Sequence, residues 1–339
     1  MKTADQCASN KGLSRRDFLA LGGLAGAATL AVSCTGPAPV PDAVSWVPTS
    51  STGREAVLRI AHITDVHVNS QYAAIGGFSR ALEHIQKLNP AVDVVFNTGD
   101  CVMDSLKTDK GAALEQWSQF TSLLKEGCSV PVFHAIGNHD VWGWGLPENT
   151  QREIKSDPVF GKGLAIQQLG LSGRYYSFDK AGWHFIVLDS THLPEIVSEH
   201  PYTGKLDDEQ FDWLVEELKK TPAATPICVL SHIPIFCACE FFDGNNEATG
   251  NWVVPGAWMH IDARRMRQLF LKYPNVRLCL SGHAHQQELL EYLGVKYLND
   301  GAICGNWWQG SYLDFPPGYV VIELYSDGSS DSRFITYNA

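Results

Sequence analysis

Val57-Leu58-Arg59-Ile60-Ala61-His62-Ile63-Thr64 reads as an apolar strand that stops at a polar cluster, Asp65-Val66-His67. The chain then repeats the arrangement. Residues 75–88 carry apolar side chains at helical spacing, 92–97 form a second apolar run ending at Gly99-Asp100, 112–126 are helical again, and 131–136 end at Gly137-Asn138. Strands that alternate with helices predict an α/β sheet with parallel pairing. Residues 143–172 are punctuated by Gly and Pro and read as an inserted loop region. Beyond them, 174–178 and 183–188 predict a hairpin. Residues 207–219 predict a helix with acids at its start and lysines at its end, as the macrodipole favours. Residues 227–230 form a strand ending at Ser231-His232, 262–272 a helix, and 276–280 a strand ending at Gly282-His283. Several short strands fill the C-terminal third. The order βαβα followed by more β predicts an α/β sandwich with mixed sheets, with 55–339 as one domain carrying a C-terminal β-rich elaboration.

Five polar motifs thus stand just after apolar strands: Asp65-Val66-His67, Gly99-Asp100, Gly137-Asn138-His139-Asp140, Ser231-His232 and Gly282-His283-Ala284-His285. In open α/β sheets ligands gather beyond the carboxyl ends of the strands, so these distant residues are expected on one rim. The metal donors expected among them are two carboxylates, four imidazoles and one amide oxygen, without a thiolate. That set suits Mn, Fe or Zn. Seven donors exceed what one tetrahedral ion takes and suit two ions sharing a carboxylate. Asp65 and His67 stand at i and i+2 in extended chain, as do His283 and His285, and so are expected to face one side together. Taken singly each motif is weak, since a lone His is more often a hydrogen-bonded structural residue and a lone Gly-Asp more often a turn. The ordered set is what carries weight.

In that order the chain resembles the calcineurin-like metallophosphoesterase family, whose pattern is D-x-H, G-D, G-N-H-D/E, a lone H and G-H-x-H. The resemblance spans residues 60–285. It implies a four-layer α/β/β/α sandwich with two mixed sheets and a centre of two divalent ions. It implies Asp65, His67, Asp100 and His285 as ligands of one ion, and Asp100, Asn138, His232 and His283 as ligands of the other. Asp100 would bridge, together with a water or hydroxide that attacks phosphorus in line. It leaves His139 as an uncoordinated catalytic residue near the leaving group, with Asp140 fixing its tautomer. The purple acid phosphatase branch has a Tyr three residues after the bridging Asp. Here Met103 stands there, so a tyrosinate-bound ferric ion is not expected.

Net charge is −11 over 339 residues, from 26 basic and 37 acidic side chains. Such a surface repels nucleic acid and anionic lipid, so bulk nucleic-acid binding is excluded. The first 33 residues read as a signal segment: Ser14-Arg15-Arg16-Asp17-Phe18-Leu19 precedes a soft Gly/Ala-rich run too short to span a bilayer comfortably, the pattern of a twin-arginine (Tat) leader. Ala31-Val32-Ser33-Cys34 reads as a lipoprotein cleavage site with the lipid on Cys34, ordinary cleavage being the alternative. Residues 34–54 read as a Pro-rich linker. The expected location is periplasmic or membrane-anchored, facing outward. Of nine cysteines, seven lie beyond Cys34, so an exported chain keeps at least one free thiol. Cys101, Cys228 and Cys279 sit in or beside strand patterns and are expected in the core. Cys237-Ala238-Cys239 has the makings of a disulfide or a soft-metal site, but no second cysteine pair stands at zinc-site spacing, so a structural or incidental role is expected.

On the substrate side, Trp142 and Trp144 follow the Asn-His-Asp motif directly. Together with His192 they are the expected cleft residues. Trp252, Trp258 and Asn306-Trp307-Trp308 are further aromatics, each able to serve simply as core or surface packing. No Arg or Lys cluster lies near the motifs. The sequence therefore predicts an exported dimetal hydrolase acting on small phosphoric esters, a phosphodiesterase ahead of a phosphomonoesterase. A surface lipoprotein that binds without hydrolysing is a third reading.

Overall fold

A computed structural model describes residues 54–195, 199–242 and 246–337. The signal segment, Cys34 and the linker through residue 53 lie outside the described residues.

Two sheets organise the chain. In the first, β1 (Ala56–Ile63), β2 (Val94–Asn97) and β3 (Val132–His134) run parallel, in register Ala61 to Val95 and Phe96 to Phe133. In the second, β4 (Tyr176–Lys180) and β5 (Trp183–Val187) form the expected antiparallel hairpin, and β5 pairs in parallel with β8 (Ile227–Leu230), which pairs in parallel with β9 (Val276–Ser281). A two-stranded ribbon, β6 (Thr191–His192) with β7 (Thr203–Gly204), stands apart. The C-terminal third is divided between the sheets. Strands β10 (Gln287–Tyr292) and β11 (Val295–Asp300) extend the second through β9, whereas β12 (Gly318–Tyr325) lies antiparallel to β1 and carries β13 (Ser330–Thr336) on its far side.

Helices cover the outer faces. On the first sheet these are α1 (Tyr72–Gln86) and α2 (Lys110–Gly127), the latter started by Asp109, whose carboxylate accepts the N–H groups of Gly111 and Ala112. On the second they are α5 (Asp208–Lys220), capped by Asp207 through the Gln210 N–H, and α6 (Ala263–Phe270). Residues 143–172 are not simply loop. They contain α3 (Glu148–Ile154) and α4 (Gly163–Leu169), each too short for helical periodicity to emerge from sequence.

Three apolar cores separate four layers, as the sandwich requires. Leu58 and Ile60 of β1 face Phe185, Val187, Leu230 and Leu280 of the opposite sheet, while Ala61 and Ile63 turn outward onto Phe78, Leu82, Trp117 and Phe120 of α1 and α2. Ile186 and Val229 on the outer side of the second sheet pack on Leu214, Leu218, Met266 and Leu269 of α5 and α6. Cys101, Cys228 and Cys279 are buried in these layers. Among the described residues no helix is long and apolar enough to cross a membrane.

Candidate metal centre

The loops leaving β1, β2 and β3 carry Asp65, His67, Asp100, Asn138 and His139 to one rim. The loops leaving β8 and β9 bring His232, His283 and His285 to the same place from the other sheet. The backbone there is not extended, contrary to the i, i+2 argument. Asp65, His67, Asp100, His283 and His285 have φ of 52°, 47°, 51°, 73° and 55°. These are left-handed conformations that side chains other than Gly rarely adopt, at about 1 kcal/mol or more apiece. Cross-loop hydrogen bonds hold them: Asp65 N–H donates to Gly99 O and His67 N–H to Asp100 O, both at 3.0 Å. The glycines are needed for approach. A Cβ on Gly137 would fall 2.2 Å from Asp100 N, and one on Gly282 would fall 1.9 Å from Thr64 Oγ1.

The side chains meet as two adjoining nests. In the first, His67 Nε2 and His285 Nε2 are 3.2 Å apart, His285 Nε2 is 3.4 Å from Asp65 Oδ1, and His67 Nε2 is 3.7 Å from Asp100 Oδ2. In the second, His232 Nε2 lies 3.3 Å from the same Asp100 Oδ2 and 2.9 Å from Asn138 Oδ1, with the His283 ring 5.1 Å from that of His232. One oxygen of Asp100 therefore faces both nests. Its other oxygen is taken by the His139 N–H at 2.8 Å.

These residues fit a pair of divalent ions. His285 Nδ1 donates to Gly305 O and His232 Nδ1 to Thr98 O, which leaves lone pairs on both Nε2 atoms, the tautomer a metal requires. Asp65 Oδ2 accepts from Thr64 Oγ1 and the His283 N–H, while Oδ1 is fully buried with no hydrogen-bond partner. Nitrogen and carboxylate lone pairs turned on one another need a cation between them. Two imidazole nitrogens on one ion stand about 3.0–3.4 Å apart at metal–nitrogen distances of about 2.0–2.1 Å, which the first nest matches.

The electrostatics agree. Burial alone would push Asp65 and Asp100 up, but His285 beside the first, and His232, His139 and His67 around the second, hold both well below the usual carboxylate range. Burial and a neighbouring imidazole push His67 and His283 down to about 3, so both are neutral. Burial opposes charge on His232, yet Asp100 prevails and pushes it up to about 9. In the metal-free protein a proton on His232 does part of the work of the cation. The sequence reading missed one neighbour: Cys304 is fully buried with its thiol within 4.8 Å of nitrogens of His67 and His285, and nothing in its surrounding pattern marked it.

His139 borders the cleft, its ring 4.8 Å from that of His67. Its Nδ1 donates to Met103 O at 2.8 Å. Asp140 does not orient it, contrary to expectation. That carboxylate is fully buried behind the loop, where Oδ1 accepts the Cys101 N–H at 2.8 Å and Oδ2 the Gly137 N–H at 2.9 Å. It is a brace between two ligand loops. The cleft residues also need correcting. Trp142 is buried, donates to Thr108 O and packs on Phe160. Trp144 lies under Lys162, and His192 lies on the β6 ribbon near Asp207. None of the three borders the cavity of about 160 Å³ over the nests. Beyond the candidate ligands that cavity is bounded by Tyr202, Glu240, Trp258, Gln286, Trp307 and Tyr312. Trp307 lies 4.6 Å from the His285 ring, with Tyr312 edge-on to it. Sequence adjacency to His139 misled because Trp142 turns inward onto Phe160, and only then does Gly143, at φ 85°, redirect the chain to Trp144.

Two helix-backed sheets packed face to face, with such a nest at their shared rim, define a metal-dependent hydrolase of phosphoric esters. The chain belongs to the calcineurin-like phosphoesterase family, whose model matches residues 58–287. It is 26% identical over 288 residues to a 3′,5′-cyclic-nucleotide phosphodiesterase of Nostoc sp., covering 80% of this chain and 90% of that one. It is 28% identical over 284 residues to a 3′,5′-cyclic adenosine monophosphate phosphodiesterase of Haemophilus influenzae, covering 80% and 88%. A dimetal phosphatase from Danio rerio shares the fold with a TM-score of 0.57 at 14% identity, covering 83% of this chain and all of that one.

Proposed function

We propose that this protein is a phosphodiesterase for small phosphodiesters, with 3′,5′-cyclic nucleotides as the first candidates, and that Asp65, His67, Asp100, Asn138, His232, His283 and His285 hold its two ions. The observation that carries the diesterase reading is the charge of the cleft. Beyond the ligands and His139 it is bounded by aromatics, Ala284, Gln286 and the acid Glu240, with no Lys or Arg among the described lining residues. A phosphomonoester brings a charge of about −1.5 to −2 at neutral pH, and here only the ions and His139 would meet it. A diester brings a single charge and an organic group on each side, for which Trp307, Tyr312 and Trp258 supply apolar faces. The names of the Nostoc and Haemophilus relatives point the same way.

When bound, the ions supply positive charge to the phosphoryl oxygens and acidify water. Nitrogen and oxygen donors suit Mn, Fe or Zn for that task. The chain's own part follows from its hydrogen bonds. Asp100 presents one oxygen to both nests because the His139 N–H holds the other. With Nδ1–H committed to Met103 O, His139 meets the substrate through Nε2, and only its imidazolium form can donate a proton there. Its task is to stabilise and protonate the departing oxygen. The leader points to action outside the cytoplasm, with Cys34 as the site of a lipid anchor.

The test compares bis-p-nitrophenyl phosphate with p-nitrophenyl phosphate on manganese-loaded full-length protein, then a panel of cyclic nucleotides. Higher kcat/KM on the diester is expected. Faster turnover of the monoester overturns the diesterase reading, and no turnover of either by fully loaded protein overturns catalysis.

A further inference from the structure

The loop that leaves β8 with His232 continues into Cys237-Ala238-Cys239-Glu240. In an extended strand the two cysteine side chains would lie on one face, well separated. Here Glu288 of β10 bends the segment: its carboxylate accepts the N–H of Ala238 at 2.8 Å and that of Cys239 at 3.2 Å. The bend brings the two sulfurs to 2.9 Å. Asn299 of β11 reaches the same point, its amide 3.6 Å from one sulfur and 3.5 Å from the other. Both thiols and Asn299 are buried, and the two sulfurs and a Glu288 oxygen all lie within 4.8 Å of one another. The second cysteine pair whose absence made this motif look incidental is replaced by a carboxylate and an amide from neighbouring strands.

Two further features set the cluster apart from ordinary core thiols. Asn299 Oδ1 is buried without a hydrogen-bond partner, and rotating the amide by half a turn points that oxygen at the sulfurs. The surroundings are also acidic. The hydrogen bond to Cys239, burial, and the charges of Glu240 and Glu288 all push the Cys237 thiol up. An unfavourable place for a thiolate becomes favourable once a cation is present, because metal binding displaces the thiol protons and the cation offsets the carboxylates.

We propose that Cys237, Cys239, Glu288 and Asn299 form a second, mononuclear site for a thiophilic divalent cation of the zinc type, separate from the dinuclear centre. Two sulfurs and two oxygens make a closed tetrahedral set without an open position, the form of a structural site. With zinc–sulfur distances of about 2.3 Å the sulfurs would stand about 3.8 Å apart, so binding parts them by roughly 1 Å. The bound ion would cross-link the loop carrying His232 and Glu240 to β10 and β11.

The experiment uses full-length protein purified under reducing conditions without chelator, with Co²⁺ as the probe. Wild type is expected to bind one more equivalent of Co²⁺ than the Cys237→Ser, Cys239→Ser double variant. It should also show a thiolate-to-cobalt charge-transfer absorption that Zn²⁺ abolishes. That absorption should vanish in the double variant and persist in Cys304→Ser, which separates this cluster from the thiol beside the dinuclear centre. Glu288→Gln keeps an acceptor for the Cys239 N–H, so it guards against loss through misfolding; it should weaken Co²⁺ binding at this site at least tenfold. Equal cobalt content and identical spectra in wild type and double variant overturn the proposal. So does recovery of a disulfide-linked Cys237–Cys239 peptide from protein purified without reductant.

Discussion

Replacing His139 with alanine removes one ring and leaves the frame around it. The backbone N–H that fixes Asp100 Oδ1 at 2.8 Å remains, and neither the grouping of His67, His285 and Asp65 nor the approach of His67 and His232 to Asp100 Oδ2 depends on the ring. Both ions should therefore stay. What is lost is a donor whose Nδ1 is anchored to Met103 O and whose Nε2 faces the cleft. A positioned acid of this kind contributes about 10²–10⁴ in rate, or about 2.7–5.5 kcal/mol of barrier. The full loss is expected for 3′,5′-cyclic AMP, which expels an alkoxide. A smaller loss is expected for bis-p-nitrophenyl phosphate, whose leaving group needs little protonation. Asp140→Asn makes the contrast. Its two oxygens accept the N–H groups of Cys101 and Gly137, so an amide loses one bond and sets N–H against N–H. That costs about 1–3 kcal/mol. It should lower thermal stability and metal content and slow both substrates by the same factor. The assay is steady-state kcat on the two substrates with metal analysis of each variant. The reasoning fails if His139→Ala is depleted of metal and slowed equally on both, or if Asp140→Asn reproduces the leaving-group dependence of His139→Ala.

Gly137→Ala would place a Cβ 2.1 Å from Asp100 Oδ1, so at least one metal equivalent should be lost, and full metal content by elemental analysis would show that the two loops are not locked as described. In chelated protein His232 binds its proton more tightly when folded, at about 9 against 6.5, so the stability this gives is complete below about pH 6.5 and fades as pH rises to 9. The unfolding free energy of metal-free protein should fall across that window, with about 3 kcal/mol from His232 alone, while manganese-loaded protein, whose His232 carries no proton, should show no such loss. Replacing Arg15 and Arg16 together by Lys should leave the precursor inside the cell, and unchanged export on fractionation would mean that the leader has been misread.

Strand ends were legible because each buried run stops at a change from apolar to polar residues, and seven donors after five such stops had few other uses. Conformation at the stops was not legible. Asp65 and His67 have the spacing of a strand and the dihedrals of a left-handed turn, which cross-loop hydrogen bonds to Gly99 and Asp100 impose. Pairing across long gaps was equally hidden. That β12 returns to lie beside β1 follows from how Ile322 and Leu324 complete the middle core, not from any local pattern. The cleft was the least legible part, since Glu240, Gln286 and Tyr312 arrive from three separate loops, and the role of Asp140 as a brace depends on which way one carboxylate points.

The division of the nest between the sheets sets the order in which the protein can be completed. Asp65, Asp100 and Asn138 belong to one sheet and His232, His283 and His285 to the other, so neither half holds a full set of donors. No partly folded form with a single sheet in place can keep the ions, and loading must come after the seam between the sheets has closed. Once seated, the ions would act as rivets across that seam, and prising the sheets apart would mean releasing them. A chain built in this way takes its ions only as a folded whole, which is the state that the leader proposed above would have to carry.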